Sequence, residues 1–266
     1  MSREISSMPS EGQFLDIRGR KIQVLRGGDG PPLLYLHSAG GEVAWLPFFD
    51  HLAQHFTVYV PAHPGFAESE GLDRIDTIED LVFHYVDVLE ALDLEQPLVA
   101  GTSLGGWLAA ELAVHHPRRV RKLVLINPVG LKVDTALVGD VFAAFPNELR
   151  HMVFHDPESE LARSFIPDEP TPEQLEATLK AREATARVAW NPFFYDPKLR
   201  DRLYRIRVPT LVVWGASDRL VSIDMGKAYA EGIAGARLVT LDACGHLPPC
   251  ERPREAASVI STFLRS

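Results

Sequence analysis

The chain has 266 residues, 46% hydrophobic and 24% charged, with a formal net charge of −9. These values are typical of a water-soluble globular protein and exclude a disordered or fibrous one. The acidic charge argues against nucleic acid or an anionic membrane surface as a partner, because both attract basic faces.

Cys244 and Cys250 are the two cysteines of the sequence, so no disulfide framework is expected. Residues 1–13 are polar and lack the apolar core of a signal peptide. No run of about 18 apolar residues is present, which argues against a transmembrane helix. We therefore expect a soluble cytoplasmic protein.

Short runs with strand character recur along the chain, and Gly19 with Arg20 forms a hairpin-length turn between the first two. Several later runs, such as LLYL and LVLI, are apolar without alternation, which is typical of parallel strands covered on both faces. The predicted strands are Gln13–Arg18, Lys21–Leu25, Leu33–His37, Thr57–Val60, Pro97–Ala100, Lys122–Ile126, Thr210–Trp214 and Arg237–Leu241.

Helical patterns lie between these runs. A helix is predicted from a start near Thr77 to about Leu92, because possible N-cap residues are followed three positions later by an acid. Further helices are predicted over Trp107–His115 and Glu251–Leu264. The alternation indicates an α/β fold with a mostly parallel eight-stranded sheet flanked by helices.

The alternation stops over residues 131–205, where no convincing strand is found. Thr171, Pro172 and Gln174 form a good capping-box start for a helix. We interpret this stretch as an all-helical cap inserted between strands 6 and 7, over a core of residues 1–130 and 206–266. The stretch is rich in aromatic residues: Phe142, Phe145, Phe154, Phe165, Trp190, Phe193, Phe194, Tyr195 and Tyr204.

The segment Gly101–Gly105 reads Gly-Thr-Ser-Leu-Gly between a predicted strand and a predicted helix. This Gly-x-Ser-x-Gly pattern is the nucleophile elbow, a tight turn that exposes a serine at a helix N-terminus. Ser103 is the predicted nucleophile. A serine needs a base and an orienting acid, and His246 and Asp218 each follow a predicted strand in the chain order Ser, Asp, His. Asp224 is a second candidate for the acid, disfavoured by its position at a helix start.

The oxyanion hole needs two backbone N–H groups. We assign them to Leu104, which follows the nucleophile, and to Ala39 in the glycine-containing loop after the third strand, with Ser38 as the second choice. The residues predicted to bind substrate are Ser38, Gly40, Trp190, Phe194 and Leu247.

With these motifs in place, the sequence resembles the α/β-hydrolase family from its N-terminal hairpin to its last helix. The loop Pro61–Ser69 is also similar to that family's loop after the fourth strand. Relatives with an aspartate nucleophile are epoxide hydrolases and haloalkane dehalogenases, and Ser103 argues against both. Asn127–Leu131 and the cap resemble the hydrolases that cleave carbon–carbon bonds of ring-fission products, although Leu247 stands where those enzymes usually carry Trp.

We therefore predict a serine esterase that cleaves small to medium hydrophobic carboxylic esters through an acyl-enzyme, with a small-molecule ester as its partner. One alternative is a carbon–carbon bond hydrolase with the same triad, and another is a non-catalytic ligand receptor. No metal and no organic cofactor are expected. The oligomeric state stays open, with a homodimer as one option.

Overall fold

The computed structural model describes residues 12–266, so the expectation about a signal peptide falls largely on residues 1–11, which lie outside the described ones. The strands are β1 (Gln13–Asp16), β2 (Lys21–Gly27), β3 (Pro32–Leu36), β4 (Thr57–Pro61), β5 (Leu98–Thr102), β6 (Lys122–Ile126), β7 (Gly130–Leu131), β8 (Tyr195–Asp196), β9 (Thr210–Gly215) and β10 (Arg237–Leu241).

Ten α-helices lie between or after these strands within residues 12–266. They are α1 (Pro47–Ala53), α2 (Ile78–Ala91), α3 (Leu104–His115), α4 (Pro146–Val153), α5 (Glu160–Phe165), α6 (Pro172–Ala189), α7 (Leu199–Arg202), α8 (Ile223–Gly232), α9 (Pro248–Glu251) and α10 (Pro253–Arg265).

The main sheet has eight strands in the order β1-β2-β4-β3-β5-β6-β9-β10. The pairs β1–β2 and β2–β4 are antiparallel, and the other neighbours are parallel. The prediction of a mostly parallel eight-stranded sheet is therefore confirmed. The carboxyl ends of β3, β5, β6 and β9 lie at one edge, which is where sites form in such sheets.

The strands are buried on both faces, as their unbroken apolar runs predict. Leu34 and Leu36 pack in the larger core cluster with α2, α3 and α8. Their neighbours Leu33 and Tyr35 point the other way, into a second cluster with α1 and α10. This alternation within one strand fixes two helical layers around one sheet.

The region between β6 and β9 holds α4 to α7, but it is not entirely helical. It also contains the two-residue strands β7 and β8, which pair in parallel with each other, Gly130 with Tyr195 and Leu131 with Asp196. These strands stand where the chain leaves the sheet and where it returns, so they join the two ends of the insertion.

The predicted C-terminal helix Glu251–Leu264 corresponds to α10 (Pro253–Arg265), which begins two residues later, after the separate short helix α9. Helix α9 ends at Glu251 and α10 begins at Pro253, with Arg252 between them at φ −132 and ψ 53. Proline disfavours the helical conformation in the residue before it, which explains the break.

Candidate active site

Ser103 lies at the sharp turn between β5 and α3, with φ +54 and ψ −114. The neighbouring glycines are required by close backbone approaches. A Cβ on Gly101 would lie 2.2 Å from the Gly105 carbonyl oxygen, and one on Gly105 would lie 2.1 Å from the Leu36 carbonyl oxygen. The turn therefore holds a non-glycine residue in an unfavourable backbone conformation, as a nucleophile elbow does.

His246 and Asp218 form a buried pair on two other loops of the same edge. The His246 Nδ1 atom lies 2.7 Å from Asp218 Oδ2, with side chains that are 3% and 0% exposed. Since a carboxylate only accepts, Nδ1 carries a proton and donates it, so in the neutral form of the ring Nε2 is the atom that can accept.

The Asp218 carboxylate is fully engaged by donors. The Leu220 and Val221 amides each donate to Oδ1 at 2.9 Å, and Asn127 Nδ2 donates to Oδ2 at 2.6 Å. Four donors, His246 included, hold this carboxylate in one orientation. Asp224 instead lies in the first turn of α8 and pairs with Lys227 at 2.8 Å.

His246 Nε2 is buried and makes no hydrogen bond with any described residue. Both Ser103 and His246 line one cavity. The structure thus joins His246 to Asp218 and places Ser103 and His246 on the wall of the same cavity, with no hydrogen bond between Ser103 and His246 among the described residues. An acceptor such as Nε2 can take a proton from a hydroxyl.

The loop after β3 presents the Ala39 amide through a buried histidine network. The His63 amide donates to His37 Nε2 at 2.9 Å, so His37 Nδ1 carries the proton and donates to the Ser38 carbonyl at 2.8 Å. The Gly41 amide donates to the same carbonyl at 3.1 Å. Because a trans peptide points its N–H opposite to its carbonyl, these bonds fix the direction of the Ala39 N–H.

Burial lowers the pKa of His37 to about 4, which keeps this ring neutral at neutral pH. Leu104 is the first residue of α3, where a helix leaves its amides without internal partners. Within residues 12–266, neither the Ala39 amide nor the Leu104 amide donates a hydrogen bond. Both remain available for an oxyanion, which stays the role predicted for them.

A cavity of about 450 Å³ opens over Ser103 and lies between the sheet edge and the inserted helices. Its wall is mostly aliphatic and aromatic, with side chains from α4, α5 and α6. Three charged or titratable residues interrupt this apolar wall, namely Glu42, Arg182 and His246.

Four of the five predicted substrate-binding residues line this cavity: Ser38, Gly40, Phe194 and Leu247. Their part in binding stays a prediction. Trp190 is not among the described residues that line the cavity, and its part in binding also stays a prediction. Trp190 is the C-cap residue of α6 and is 59% exposed. Its ring packs edge-on against the ring of Phe142, with 5.2 Å between the two ring centroids. It thus contacts a lining residue without reaching the cavity itself.

Sequence reasoning missed Asn127, His37 and Glu42 as site residues. Asn127 follows β6 directly, at the edge where the candidate residues converge, and has φ +42. Asparagine tolerates this conformation better than most residues, so its place after a strand was a usable signal. The roles of His37 and Glu42 depend on partners whose positions only the folded chain defines.

Among residues 12–266, no group of three or more His, Cys, Asp or Glu side chains could hold a metal ion. No helix in the same part of the chain is long and apolar enough to span a bilayer.

Comparison with known proteins agrees with the fold. Residues 33–259 match a family described as the alpha/beta hydrolase family. The 2-hydroxymuconate semialdehyde hydrolase of Pseudomonas sp. (strain CF600) is 28% identical over 274 residues, covering 96% of this chain and 94% of that protein. The human monoacylglycerol lipase ABHD6 is also 28% identical, over 273 residues, covering 91% and 77%.

Among solved structures, 2-hydroxy-6-oxo-6-phenylhexa-2,4-dienoate hydrolase from Rhodococcus sp. strain RHA1 has a TM-score of 0.80. The likeness covers 98% of this chain and all of that one, at 24% identity, and shows a shared fold. The class defined by this fold and site is the α/β hydrolases. The chain belongs to the alpha/beta hydrolase family, and the family match together with the hydrolase relatives supports a hydrolase.

Proposed function

We propose that this protein is a serine hydrolase that cleaves carboxylic esters of small to medium hydrophobic substrates through an acyl-enzyme. The observation that carries the proposal is the His246–Asp218 pair, whose Nε2 atom has no hydrogen-bond partner among the described residues and whose histidine lines the same cavity as Ser103. The donor set around Asp218 supports the same conclusion, because it orients a base rather than a metal.

In the proposed mechanism, His246 Nε2 takes the Ser103 proton as the hydroxyl attacks the ester carbonyl. Asp218 holds the ring in the correct tautomer and stabilises its cation. The amides of Ala39 and Leu104 donate to the oxyanion. His246 then protonates the departing alcohol, and a water activated by the same nitrogen releases the acid.

The cavity wall supports a hydrophobic substrate. Phe142, Leu149, Phe154 and Phe194 give it a continuous apolar surface, with few polar groups away from the sheet edge. Such a wall binds acyl or alkyl groups by removing apolar surface from water. The name of the relative ABHD6, a monoacylglycerol lipase, agrees with ester cleavage.

A carbon–carbon bond hydrolase of ring-fission products is the second candidate, and one observation favours it. Arg182 of α6 lines the cavity and would pair with the carboxylate that such substrates carry. The names of two similar proteins, from Pseudomonas and Rhodococcus, point to this chemistry.

The two candidates separate in a single assay series. Purified protein is tested with p-nitrophenyl esters of increasing acyl length and with a ring-fission dienoate. The proposal expects turnover of the esters, with a maximum at medium chain length and little turnover of the dienoate. The reverse ranking would replace it with the second candidate.

The Ser103→Ala variant tests the nucleophile in the same assays. A hydrolase that uses Ser103 loses nearly all turnover, roughly 10³-fold or more. Ligand binding without turnover, in the wild type and in Ser103→Ala alike, would indicate a receptor instead.

A further inference from the structure

Glu42 is bound tightly to the loop that carries the predicted oxyanion amide. The Ser38 hydroxyl donates to Glu42 Oε1 at 2.7 Å, and the Ser38 amide donates to Oε2 at 3.3 Å. The Gly40 amide in turn donates to the Ser38 hydroxyl at 2.9 Å. This carboxylate is therefore held beside Ala39 in a defined position and does not move freely at the surface.

Gly40 leaves the space that the carboxylate occupies. A Cβ at Gly40 would lie 2.5 Å from Glu42 Oε1 and 3.3 Å from the Ser38 hydroxyl. A side chain on residue 40 would displace the carboxylate, so the glycine leaves room for Glu42 in this position.

The charge of Glu42 is not neutralised by a neighbour. Its recorded hydrogen bonds both come from Ser38, and no salt bridge within residues 12–266 involves it. Among the described residues that line the cavity, Glu42 is the one that carries a carboxylate. Two oxygens offer about four acceptor positions, and Ser38 uses two of them.

A simple ester cannot use the remaining positions, because it carries acceptors and no donors. Filling the cavity with such a substrate would remove water from the Glu42 carboxylate without replacing the hydrogen bonds that the water makes. A substrate with a hydroxyl close to its ester group would replace that water with a charge-assisted hydrogen bond.

We infer that Glu42 selects esters that carry a hydroxyl group near the scissile carbonyl, such as partial esters of a polyol. This inference rests on the proposed ester hydrolysis and adds the class of ester. It makes Glu42 a specificity-determining residue, whose effect depends on the substrate.

The test compares substrates that differ only in their hydroxyl groups. The first substrate, n-propyl butyrate, carries no hydroxyl group. Glyceryl 1-monobutyrate carries hydroxyls on its alcohol part, and n-propyl 3-hydroxybutyrate carries one on its acid part. We expect kcat/KM of the wild type to favour at least one hydroxyl-bearing ester by about tenfold or more, the effect of one hydrogen bond to a charged group.

In Glu42→Gln the ratio of kcat/KM between the preferred hydroxyl-bearing ester and n-propyl butyrate falls to within about threefold, whatever the change in kcat/KM for n-propyl butyrate itself. Glu95→Gln removes an exposed carboxylate elsewhere and keeps the preference. If Glu42→Gln lowers kcat/KM for all three esters by one factor, Glu42 only supports the loop and the inference fails. Absence of any wild-type ester hydrolysis would instead refute the proposed function.

Discussion

At the scale of single residues, Asn127 joins the end of β6 to the end of β9 and the loop that carries Asp218. Its Nδ2 donates to Asp218, and its Oδ1 accepts from the Gly215 amide at 3.1 Å. The residue is fully buried and does not belong to the described cavity wall. It therefore acts on the reaction only through the carboxylate that orients His246.

The variant Asn127→Ala tests this positioning role. Loss of one charge-assisted hydrogen bond is worth about 1.5–3 kcal/mol, so we expect kcat to fall about 10- to 100-fold with KM nearly unchanged. Steady-state kinetics on a hydrophobic ester measure the split, and Asn147→Ala, at an exposed position of α4, is the matched control. A folded Asn127→Ala with wild-type kcat would contradict the assignment.

Glu111 of α3 is a second buried acid. It lies beneath the two positions where the inserted region leaves and rejoins the core. Trp107 Nε1 donates to Glu111 Oε1 at 3.0 Å, and His115 Nε2 lies 3.5 Å from Oε2. Burial raises the pKa of Glu111 to about 7; the Trp107 bond opposes this shift, and the Asp196 carboxylate adds to it. Folding therefore favours the protonated form of this side chain.

The sign of the pH dependence follows from this shift. Between pH 4.5 and about 7 the folded state keeps a proton on Glu111 that the unfolded state has lost, so the free energy of unfolding falls as pH rises. The variant Glu111→Gln has no carboxyl group at this position and loses this pH dependence. The difference in free energy of unfolding, variant minus wild type, should therefore rise by roughly 3 kcal/mol between pH 4.5 and about 7. Urea denaturation at several pH values measures this difference, and a constant difference would contradict the account.

At the scale of elements, the β5–α3 turn depends on the close packing of α3 beneath β3. Gly105→Ala would place a Cβ against the Leu36 backbone, at 2.1 Å. We expect a loss of about 2 kcal/mol or more in the free energy of unfolding and a larger loss of activity, because the shift would move Ser103. Gly235→Ala is the comparison, since nothing lies within 4 Å of its added Cβ and its cost of about 1 kcal/mol comes from φ +74 alone.

A smaller or equal effect at Gly105 than at Gly235, measured by denaturant unfolding, would show that the turn tolerates the extra atom. The close contact would then not restrict the elbow.

Elements with strong local signals could be predicted from the sequence. The capping boxes at Thr77 and Thr171 begin α2 and α6 as expected, because both depend on residues within three positions of each other. The strands β7 and β8 could not, since two residues carry no periodicity and their pairing joins positions 65 residues apart in the chain. The predicted triad was accessible because each member follows a recognisable strand, whereas the contacts of Glu42 and His37 required the folded loop.

At the scale of the whole molecule, direct hydrogen bonds join the insertion to the loops that carry Asp218 and His246. The His246 amide donates to the Val153 carbonyl at 2.6 Å, and the Arg219 guanidinium donates to the Phe154 carbonyl at 3.1 Å. Glu251 accepts from the Gly245 and His155 amides, both at 2.8 Å. The end of α4 is thus held by hydrogen bonds to the loop that carries His246, while α6 supplies the opposite wall of the cavity.

Labelling with a fluorophosphonate tests the central claim most directly, because the reagent reacts only with an activated nucleophile. The account predicts a single adduct, located on Ser103 by peptide mass spectrometry, no adduct in Ser103→Ala, and labelling slowed about 10⁴-fold or more in His246→Ala. An adduct on a different residue, or unchanged labelling without His246, would show that these three side chains do not act together as a triad.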